Sequence, residues 1–363
     1  MRVIFSGGGT GGHIYPALAV LERLKERNLL DDVLYIGTEK GLESRIIRQK
    51  QIPFEAIKLQ GFKRSLSLDN LKTLKLFLQS THRAKKILRE FKPDVVVGTG
   101  GYVSSAVLFA ATQLHIPTVI NEQNSVAGIT NRFLGHFVDR ISIAFPEVAT
   151  QFPKQKVILT GNPRAQQVAG IQPNQRLSDF KLKTTVPTLL IFGGSRGAER
   201  INSAFLAALS ELNQKNYQVL FVSGQVHYAK IQTALQDKTV GSNIAVVPYI
   251  SDMQTVLPDV AVILGRAGAT SLAEITALGI PSILVPSPYV TNDHQTKNAQ
   301  SLVTHQAAEM ITEDQLTGAT LLKVTDQLMT DPVRRQAMGE QARQLGVPDA
   351  ADRLIKVMQD LIH

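Results

Sequence analysis

The chain contains no cysteine, which excludes disulfides, thiolate metal sites and cysteine nucleophiles, and fits a reducing compartment. No stretch approaches the ~18–20 apolar residues that a membrane-spanning helix needs. The opening Met1-Arg2-Val3-Ile4-Phe5-Ser6 does not read as a signal peptide, because its apolar run stops after Phe5 and reads as a first strand. What remains is the composition of a globular protein, 44% hydrophobic and 19% charged over 363 residues. That length exceeds what one core usually fills, so two domains are expected.

Charge is uneven along the chain. The net charge is +9, and between Gly61 and Lys92 lie Lys63, Arg64, Lys72, Lys75, Arg83, Lys85, Lys86, Arg89 and Lys92 against only Asp69 and Glu90. A cluster of this kind suits nucleic acid, an anionic membrane or a solvated face. From Leu66 to Phe91 the spacing of Leu71, Leu74, Leu78, Ala84, Leu88 and Phe91 predicts the core face of a helix. Leu66, Leu68, Leu76 and Phe77 fall outside that face, beside lysines.

The dominant pattern is strand, glycine turn, helix. Val3–Phe5 leads into Gly7-Gly8-Gly9-Thr10-Gly11-Gly12, and Asp94–Val97 into Gly98-Thr99-Gly100-Gly101. Further strands are expected at Val33–Ile36, Pro117–Ile120 and Arg140–Ala144. Periodicity fades from Gly161 to Val186 and then restarts with Leu189–Phe192 and Gly193-Gly194-Ser195-Arg196-Gly197. The expected division is an N-terminal domain over 1–163, a linker over 164–186 and a C-terminal domain over 187–340. A C-terminal helical segment over 341–363 would be free to pack back on the first domain. Alternation of this type predicts α/β domains with doubly wound parallel sheets.

Each glycine turn lets the backbone approach an anion at a helix N-terminus. Alone, each is ambiguous. Gly7, Gly9 and Gly12 match G-x-G-x-x-G, but the acidic residue that a dinucleotide site wants is offered only by Glu39, just past the second strand. No Gly-Lys-Ser/Thr follows, which excludes a P-loop. Gly193-Gly194-Ser195-Arg196-Gly197 matches a hydrolase nucleophile elbow, with Asp259 and either His294 or His305 as nominal partners, yet this strand opens its domain. A third turn, Gly265-Arg266-Ala267-Gly268, leads to Thr270 or Ser271 as a helix cap, with Glu274 in the first turn able to take two ribose hydroxyls. Asn292-Asp293-His294-Gln295 suits sugar hydroxyls or a plain helix cap.

Taken in order, Gly8-Gly9-Thr10-Gly11-Gly12-His13, Gly100-Gly101-Tyr102-Val103-Ser104, Glu122-Gln123-Asn124, Gly161-Asn162-Pro163, Gly193-Gly194-Ser195, Arg266-Ala267-Gly268-Ala269 and Asp293-His294-Gln295 resemble the MurG family. These are bacterial N-acetylglucosaminyltransferases that convert lipid I to lipid II in peptidoglycan synthesis. The resemblance implies a GT-B fold, two Rossmann-like domains facing a cleft. It implies inverting transfer of GlcNAc from UDP-GlcNAc to the MurNAc 4-hydroxyl, without cofactor or metal, and no D-x-D motif lies near the donor segments. It also implies a peripheral enzyme on the cytoplasmic face of the cell membrane, and the apolar residues among cations in segment 61–92 suit a reversible dock on anionic lipid. Nucleic acid is not expected as a partner; proteins of cell-wall synthesis and division are.

Residue by residue, the resemblance assigns donor contacts to Thr10, Gly11, Gly12 and Asn124, and a contact near the diphosphate to Ser195. It sets Ile250 on the uracil through its backbone. Ala269, Thr270, Ser271, Leu272 and Ala273 lie along the diphosphate and ribose, with Glu274 on the ribose. Asp293 and Gln295 reach the GlcNAc hydroxyls, and Arg164 is a further donor contact that stands one residue earlier than in some members. For the catalytic base His13 is proposed, since its unperturbed pKa of ~6.5 suits proton transfer, with Glu122 in reserve.

Overall fold

A computed structural model describes residues 1–61, 69–194 and 196–362, with side chains from residue 72 onward in the helix that starts at Asp69. The chain forms two compact units, Met1–Gln166 with Asp349–His363, and Gln167–Pro348. The chain thus leaves the first unit inside the expected linker and returns to it for its last residues.

In the first unit the elements run β1 (Arg2–Gly7), α1 (Gly11–Glu26), β2 (Asp32–Thr38), α2 (Leu42–Gln49), β3 (Phe54–Ile57), α3 (Asp69–Phe91), β4 (Val95–Gly100), α4 (Tyr102–Gln113), β5 (Thr118–Glu122), α5 (Ile129–Gly135), β6 (Arg140–Ile143), β7 (Val157–Leu159) and α6 (Arg164–Ala169). The seven strands are parallel in the order β3-β2-β1-β4-β5-β6-β7. Alternate residues serve opposite faces, as the pleat dictates. Val3, Phe5, Val33, Tyr35, Val95 and Val97 pack under α1, whereas Ile4, Leu34, Ile36, Val96 and Ile120 pack under α3 and α4. The strands β3 and β7 escaped the pattern reading because they are short edge strands with half-buried faces.

The second unit repeats the plan with β8 (Thr188–Phe192), α7 (Glu199–Leu212), β9 (Gln218–Val222), α8 (Tyr228–Leu235), β10 (Ile244–Val247), α9 (Met253–Val256), β11 (Val262–Gly265), α10 (Ala269–Leu278), β12 (Ser282–Leu284), α11 (His294–Thr304), β13 (Glu309–Met310), α12 (Gly318–Met329) and α13 (Pro332–Leu345). Its six strands are parallel in the order β10-β9-β8-β11-β12-β13. Leu189, Ile191, Val219, Phe221, Val262 and Leu264 meet α7 and α12, and the Phe205 and Phe221 rings stack at 3.8 Å.

The last helix, α14 (Ala350–Ile362), belongs to the first unit, where Leu354, Ile355, Val357 and Met358 complete the core beneath α1. Arg23 grips Asp352 with two hydrogen bonds of 2.9 and 2.8 Å, and Arg27 adds one of 3.0 Å. Gln166 donates to the same carboxylate at 2.6 Å and accepts the Asp352 N–H at 2.9 Å. The Asp352 carboxyl is held down at about 2, chiefly by Arg23, with Gln166 and Arg27 assisting against partial burial. A depressed carboxylate pKa stabilises the fold above its unfolded value and loses that contribution as pH falls through the folded one. Asp352→Asn should therefore destabilise the chain by about 1–2 kcal/mol near neutral pH, a figure discounted for partial exposure. The gap to wild type should close between about pH 4 and 2, as denaturant titrations at several pH values would report; a gap that does not shrink on acidification would contradict it.

In α3 the structure corrects the predicted face. Thr73, Ala84, Ile87 and Leu88 are buried and Phe77 packs on the core, whereas Leu74 and Leu78 are 48% and 60% exposed. The second half of the helix follows the expected face, with Ala84 and Leu88 buried and Phe91 packed on the core; in the first half Phe77, which lodges against Phe109 of α4, takes the inward place instead of Leu74 and Leu78. Lys63, Arg64, Leu66 and Leu68 lie outside the described residues, as does the Leu71 side chain.

Candidate active site

In a doubly wound sheet, ligands bind beyond the carboxyl ends of the strands where the chain reverses direction across the sheet. Here those reversal points lie between β1 and β4, and between β8 and β11. The strands on either side of each point end in the glycine-rich turns: 7–12 with 98–101 in the first unit, 193–198 with 265–268 in the second.

In the first unit the two turns are laced together. The Gly8 N–H donates to the Gly100 carbonyl at 3.1 Å. Gly101 has φ +81, and a Cβ there would lie 2.4 Å from the Gly8 oxygen. The imidazole of His13 rests on Gly100, where a Cβ would come within 2.7 Å of the ring. His13 Nδ1 sits 2.8 Å from the Gly8 carbonyl oxygen. A carbonyl only accepts, so Nδ1 carries the proton and Nε2 holds the lone pair. Thr99 donates to the His13 carbonyl at 2.6 Å, so β4 also grips the first turn of α1.

Beneath these turns runs a buried polar chain. Gln123 donates to the Thr99 carbonyl and to Asn121 Oδ1, both at 2.9 Å, and Asn121 donates to Ser142 Oγ at 2.8 Å. Glu122 corrects the reserve assignment of a base. It is 2% exposed, and Oε1 accepts from Asn124 while Oε2 accepts from the Gly128 N–H and Asn131 Nδ2 at 2.9 Å. Both oxygens are committed, so the carboxylate holds the loop after β5, and with it Asn124. Arg164, at the start of α6, lays its guanidinium over the Tyr15 ring of α1 at 5.5 Å.

The dinucleotide reading fails on geometry. Glu39 is exposed and lies 3.7 Å from Arg48. The carboxylate near the loop is instead Glu43 of α2, which the sequence reading missed, and it is turned inward to the protein's own N–H groups.

In the second unit Gly194, Gly197 and Gly224 all have positive φ, and a Cβ on Gly197 would lie 2.3 Å from the Ser223 carbonyl oxygen. Asn202 of α7 donates to that same carbonyl at 3.0 Å. Ser195 lies outside the described residues. Across the reversal point, Arg266 donates to the Val285 and Pro286 carbonyls at 3.1 Å and pairs with Glu313 at 2.5 Å. The fully buried Asn298 of α11 donates to the Ala267 carbonyl at 3.2 Å.

The expected cap of α10 is corrected. The helix starts at Ala269 with Gly268 as N-cap, so Thr270 and Ser271 lie inside the first turn, while Leu272, Ala273 and the buried Glu274 follow beyond it. Among the described residues no side chain caps this helix, nothing lies within 4 Å of a Cβ built on Gly268, and Thr270 Oγ1 is buried without a hydrogen-bond partner. Side-chain caps are the exception among the described helices, at Thr317 of α12 and Asp331 of α13, so it is the unpartnered Thr270 hydroxyl that sets α10 apart. An uncapped start with a waiting hydroxyl is suited to an anion.

Ile250 follows β10 with its side chain buried. Gln295 accepts the Ser287 N–H at 2.9 Å through its side-chain oxygen. Asn292 and Asp293 take φ of +56 and +50 in succession, a left-handed pair that costs energy and marks functional loops. Asp259 precedes β11, at the amino end of the sheet, and accepts the Asn174 and Arg176 N–H groups. It stands opposite the Ser195 turn, so the hydrolase triad cannot assemble.

Two parallel-sheet units, each with glycine-rich turns at its reversal point, form the architecture found in nucleotide-sugar transferases. The chain belongs to glycosyltransferase family 28, its residues 3–143 matching the family's N-terminal domain and 188–354 its C-terminal domain. It is 62% identical over 363 residues to the UDP-N-acetylglucosamine–N-acetylmuramyl-(pentapeptide) pyrophosphoryl-undecaprenol N-acetylglucosamine transferase of Latilactobacillus sakei, covering 99% of this chain and 100% of the relative. The crystal structure of Acinetobacter baumannii MurG superposes with a TM-score of 0.79 at 30% identity, covering 99% of both chains. A putative UDP-N-acetylglucosamine 2-epimerase from Listeria monocytogenes shares the fold alone, with a TM-score of 0.72 at 13% identity over 99% of this chain and 96% of that one.

Proposed function

We propose that this enzyme transfers GlcNAc from UDP-GlcNAc to the MurNAc 4-hydroxyl of undecaprenyl-pyrophosphoryl-MurNAc-pentapeptide, lipid I, giving lipid II and UDP. The observation that carries the reading is the uncapped start of α10, with the orphaned Thr270 hydroxyl and the buried Glu274 behind it. The name of the Latilactobacillus relative supports the choice of substrates.

The donor rests on the second unit. Ile250 offers backbone groups to the uracil, Glu274 takes the ribose hydroxyls, and Ala269 to Ala273 with Ser195 face the diphosphate. Asp293 and Gln295 meet the sugar hydroxyls. The N–H groups at the start of α10 stabilise the negative charge that builds on the leaving diphosphate, so no metal or cofactor is invoked. From the first unit, Thr10, Gly11, Gly12, Asn124 and Arg164 are further donor contacts. His13 Nε2 takes the proton as the 4-hydroxyl oxygen attacks C1. The bond from C1 to the diphosphate oxygen breaks on the opposite side with its electron pair, which inverts the anomeric centre. Labelled UDP-GlcNAc and lipid I should yield labelled lipid II with stoichiometric UDP; formation of UDP-ManNAc in place of transfer would sink the reading.

The enzyme docks peripherally on anionic lipid at the cytoplasmic face of the membrane, where it meets proteins of cell-wall synthesis and division. Leu74 and Leu78 of α3 and Ile129, Phe133 and Phe137 on and after α5 are exposed, and the rings of Phe77, Phe109, Phe133 and Phe137 touch at 5.2–6.2 Å. Lys72, Lys75 and Arg132 are exposed on the same helices. Apolar insertion flanked by cations suits a reversible interfacial dock, at ~1 kcal/mol per basic residue. Leu74→Glu with Leu78→Glu should lower sedimentation with anionic vesicles by at least about 10-fold; equal wild-type binding to neutral and anionic vesicles would defeat the electrostatic part.

A further inference from the structure

The carboxylate of Glu43 is 1% exposed, yet no lysine, arginine or histidine bonds to it among the described residues. Its Oε1 accepts the Thr38 N–H at 3.0 Å and the Thr38 hydroxyl at 2.6 Å, and its Oε2 accepts the Gly9 N–H at 3.0 Å. Three glycines wall it in. A Cβ on Gly8, Gly37 or Gly41 would lie 2.4, 2.7 or 2.2 Å from its side chain. Glycine at these positions makes room for an acid, and the acid holds the glycine-rich turn from the β2 side.

The turn is held from the β4 side by the Gly8 N–H on the Gly100 carbonyl, and from below by the Tyr35 hydroxyl on the Gly7 carbonyl at 2.8 Å. Burial, and after it the Glu43 charge, push the Tyr35 hydroxyl far above its usual range, so it remains a donor. Three consecutive residues, Gly7 to Gly9, are therefore tied to β2, β4 and α2. The one carbonyl between Glu43 and His13 is that of Gly8, and it accepts the imidazole Nδ1–H. An anion on Gly9 N–H also leaves that group unavailable to a phosphate, so this part of the loop is a mount for an imidazole and no anion cradle.

We infer that Glu43 is a positioning residue for His13: it fixes the Gly8 carbonyl, which in turn fixes the ring orientation and keeps the lone pair on Nε2. The inference rests on the reading of His13 as proton acceptor. Glu43→Gln keeps the shape but brings an NH2 against the Gly9 or Thr38 N–H, two donors face to face. Glu43→Asp is too short to reach both. Gly41→Ala, with φ −74 at that position and hence no backbone strain, pushes the carboxylate aside without touching its charge.

The test uses the full chain with UDP-GlcNAc and lipid I, and measures kcat, KM for both substrates, UDP binding and Tm. Glu43→Gln should lower kcat roughly 10- to 100-fold, the scale of a misplaced catalytic group. UDP binding and donor KM should stay within about 3-fold, and Glu43→Asp should recover part of the loss. Gly41→Ala should reproduce the kcat loss, and it decides the matter if Glu43→Gln fails to fold. In a His13→Ala background, Glu43→Gln should cost less than about a further 3-fold, because residues acting as one unit are not additive. Nitrogen-15 shifts of the His13 ring should report Nδ1–H alone in wild type and a tautomer mixture in Glu43→Gln. Near-normal kcat in both Glu43→Gln and Gly41→Ala, or fully additive losses with His13→Ala, would overturn the inference. Near-normal kcat in His13→Ala would instead remove the base reading, and the inference with it.

Discussion

Replacing His13 with alanine should lower kcat by about 10²- to 10⁴-fold, the contribution typical of a positioned general base. Donor KM should change less than kcat, because in the proposed reaction the imidazole acts on the acceptor's proton. The expectation follows from geometry. The Nδ1 proton is spent on the Gly8 carbonyl, and the ring rests against Gly100, whose φ of +108 only glycine adopts without strain. Nothing about that arrangement is needed to hold α1, which is anchored by Ile14, Leu18, Leu21 and Leu24 in the core. His13→Gln offers a sharper comparison, since an amide can keep a hydrogen bond to Gly8 but cannot take a proton. Both variants should melt close to wild type. A kcat within about 3-fold of normal for either would show that the proton goes elsewhere.

The second large effect is expected at Arg266. Its guanidinium is 12% exposed and its partner Glu313 14%, and it ties the carbonyls of Val285 and Pro286 to the turn before α10. Truncation leaves a buried carboxylate without its partner, which costs about 3–5 kcal/mol in comparable settings. For a unit of this size that corresponds to a fall in Tm of roughly 10 °C or more. The loss should be smaller in Arg266→Ala with Glu313→Ala, because the double variant strands no charge. Arg266→Lys should recover less than half, since an ammonium cannot span two carbonyls and a carboxylate in one plane. Donor KM should rise at least about 10-fold in Arg266→Ala, as the loops carrying Thr270 and Gln295 lose their common anchor. Calorimetry with UDP titration measures both; a Tm within 2 °C of wild type would contradict the argument.

Much of this architecture was legible in the residues. Apolar runs of four to six residues before glycine clusters read as strands because a buried parallel strand needs both faces apolar. The turns read as anion sites because the order of glycine, small residue and helix leaves few other uses. Family motifs such as Glu122-Gln123-Asn124 and Asp293-His294-Gln295 were also visible.

Other features were not. Period counting placed Ala84, Leu88 and Phe91 on the core side of α3 but also Leu74 and Leu78, whose place is taken by Phe77 against Phe109 while they face outward. Phe133 and Phe137 attracted no notice, because apolar residues in a short helix look like core until the neighbouring helices are known. Thr270 reads as a cap because hydroxyls usually are; the N-cap is instead Gly268, two residues earlier, and the helix begins at Ala269.

The glycine-rich turns themselves show where the division falls. Local chemistry determined that they exist, that helices follow them, and that His13 stands at the first helical turn. Which turns face each other was decided by strand order: β4 returns beside β1, so that Gly100 lies under the imidazole, and β11 beside β8. Glu43 shows the same limit. In the sequence it is one acid among 30 Asp and Glu, four residues past Glu39, the nominal dinucleotide candidate. Only the closure of α2 over β2 turns it inward onto Gly9. Propensity and periodicity act over a few neighbouring residues, whereas the pairing of strands some 90 residues apart, such as Gly7 with Gly100, is set by burial of the whole sheet.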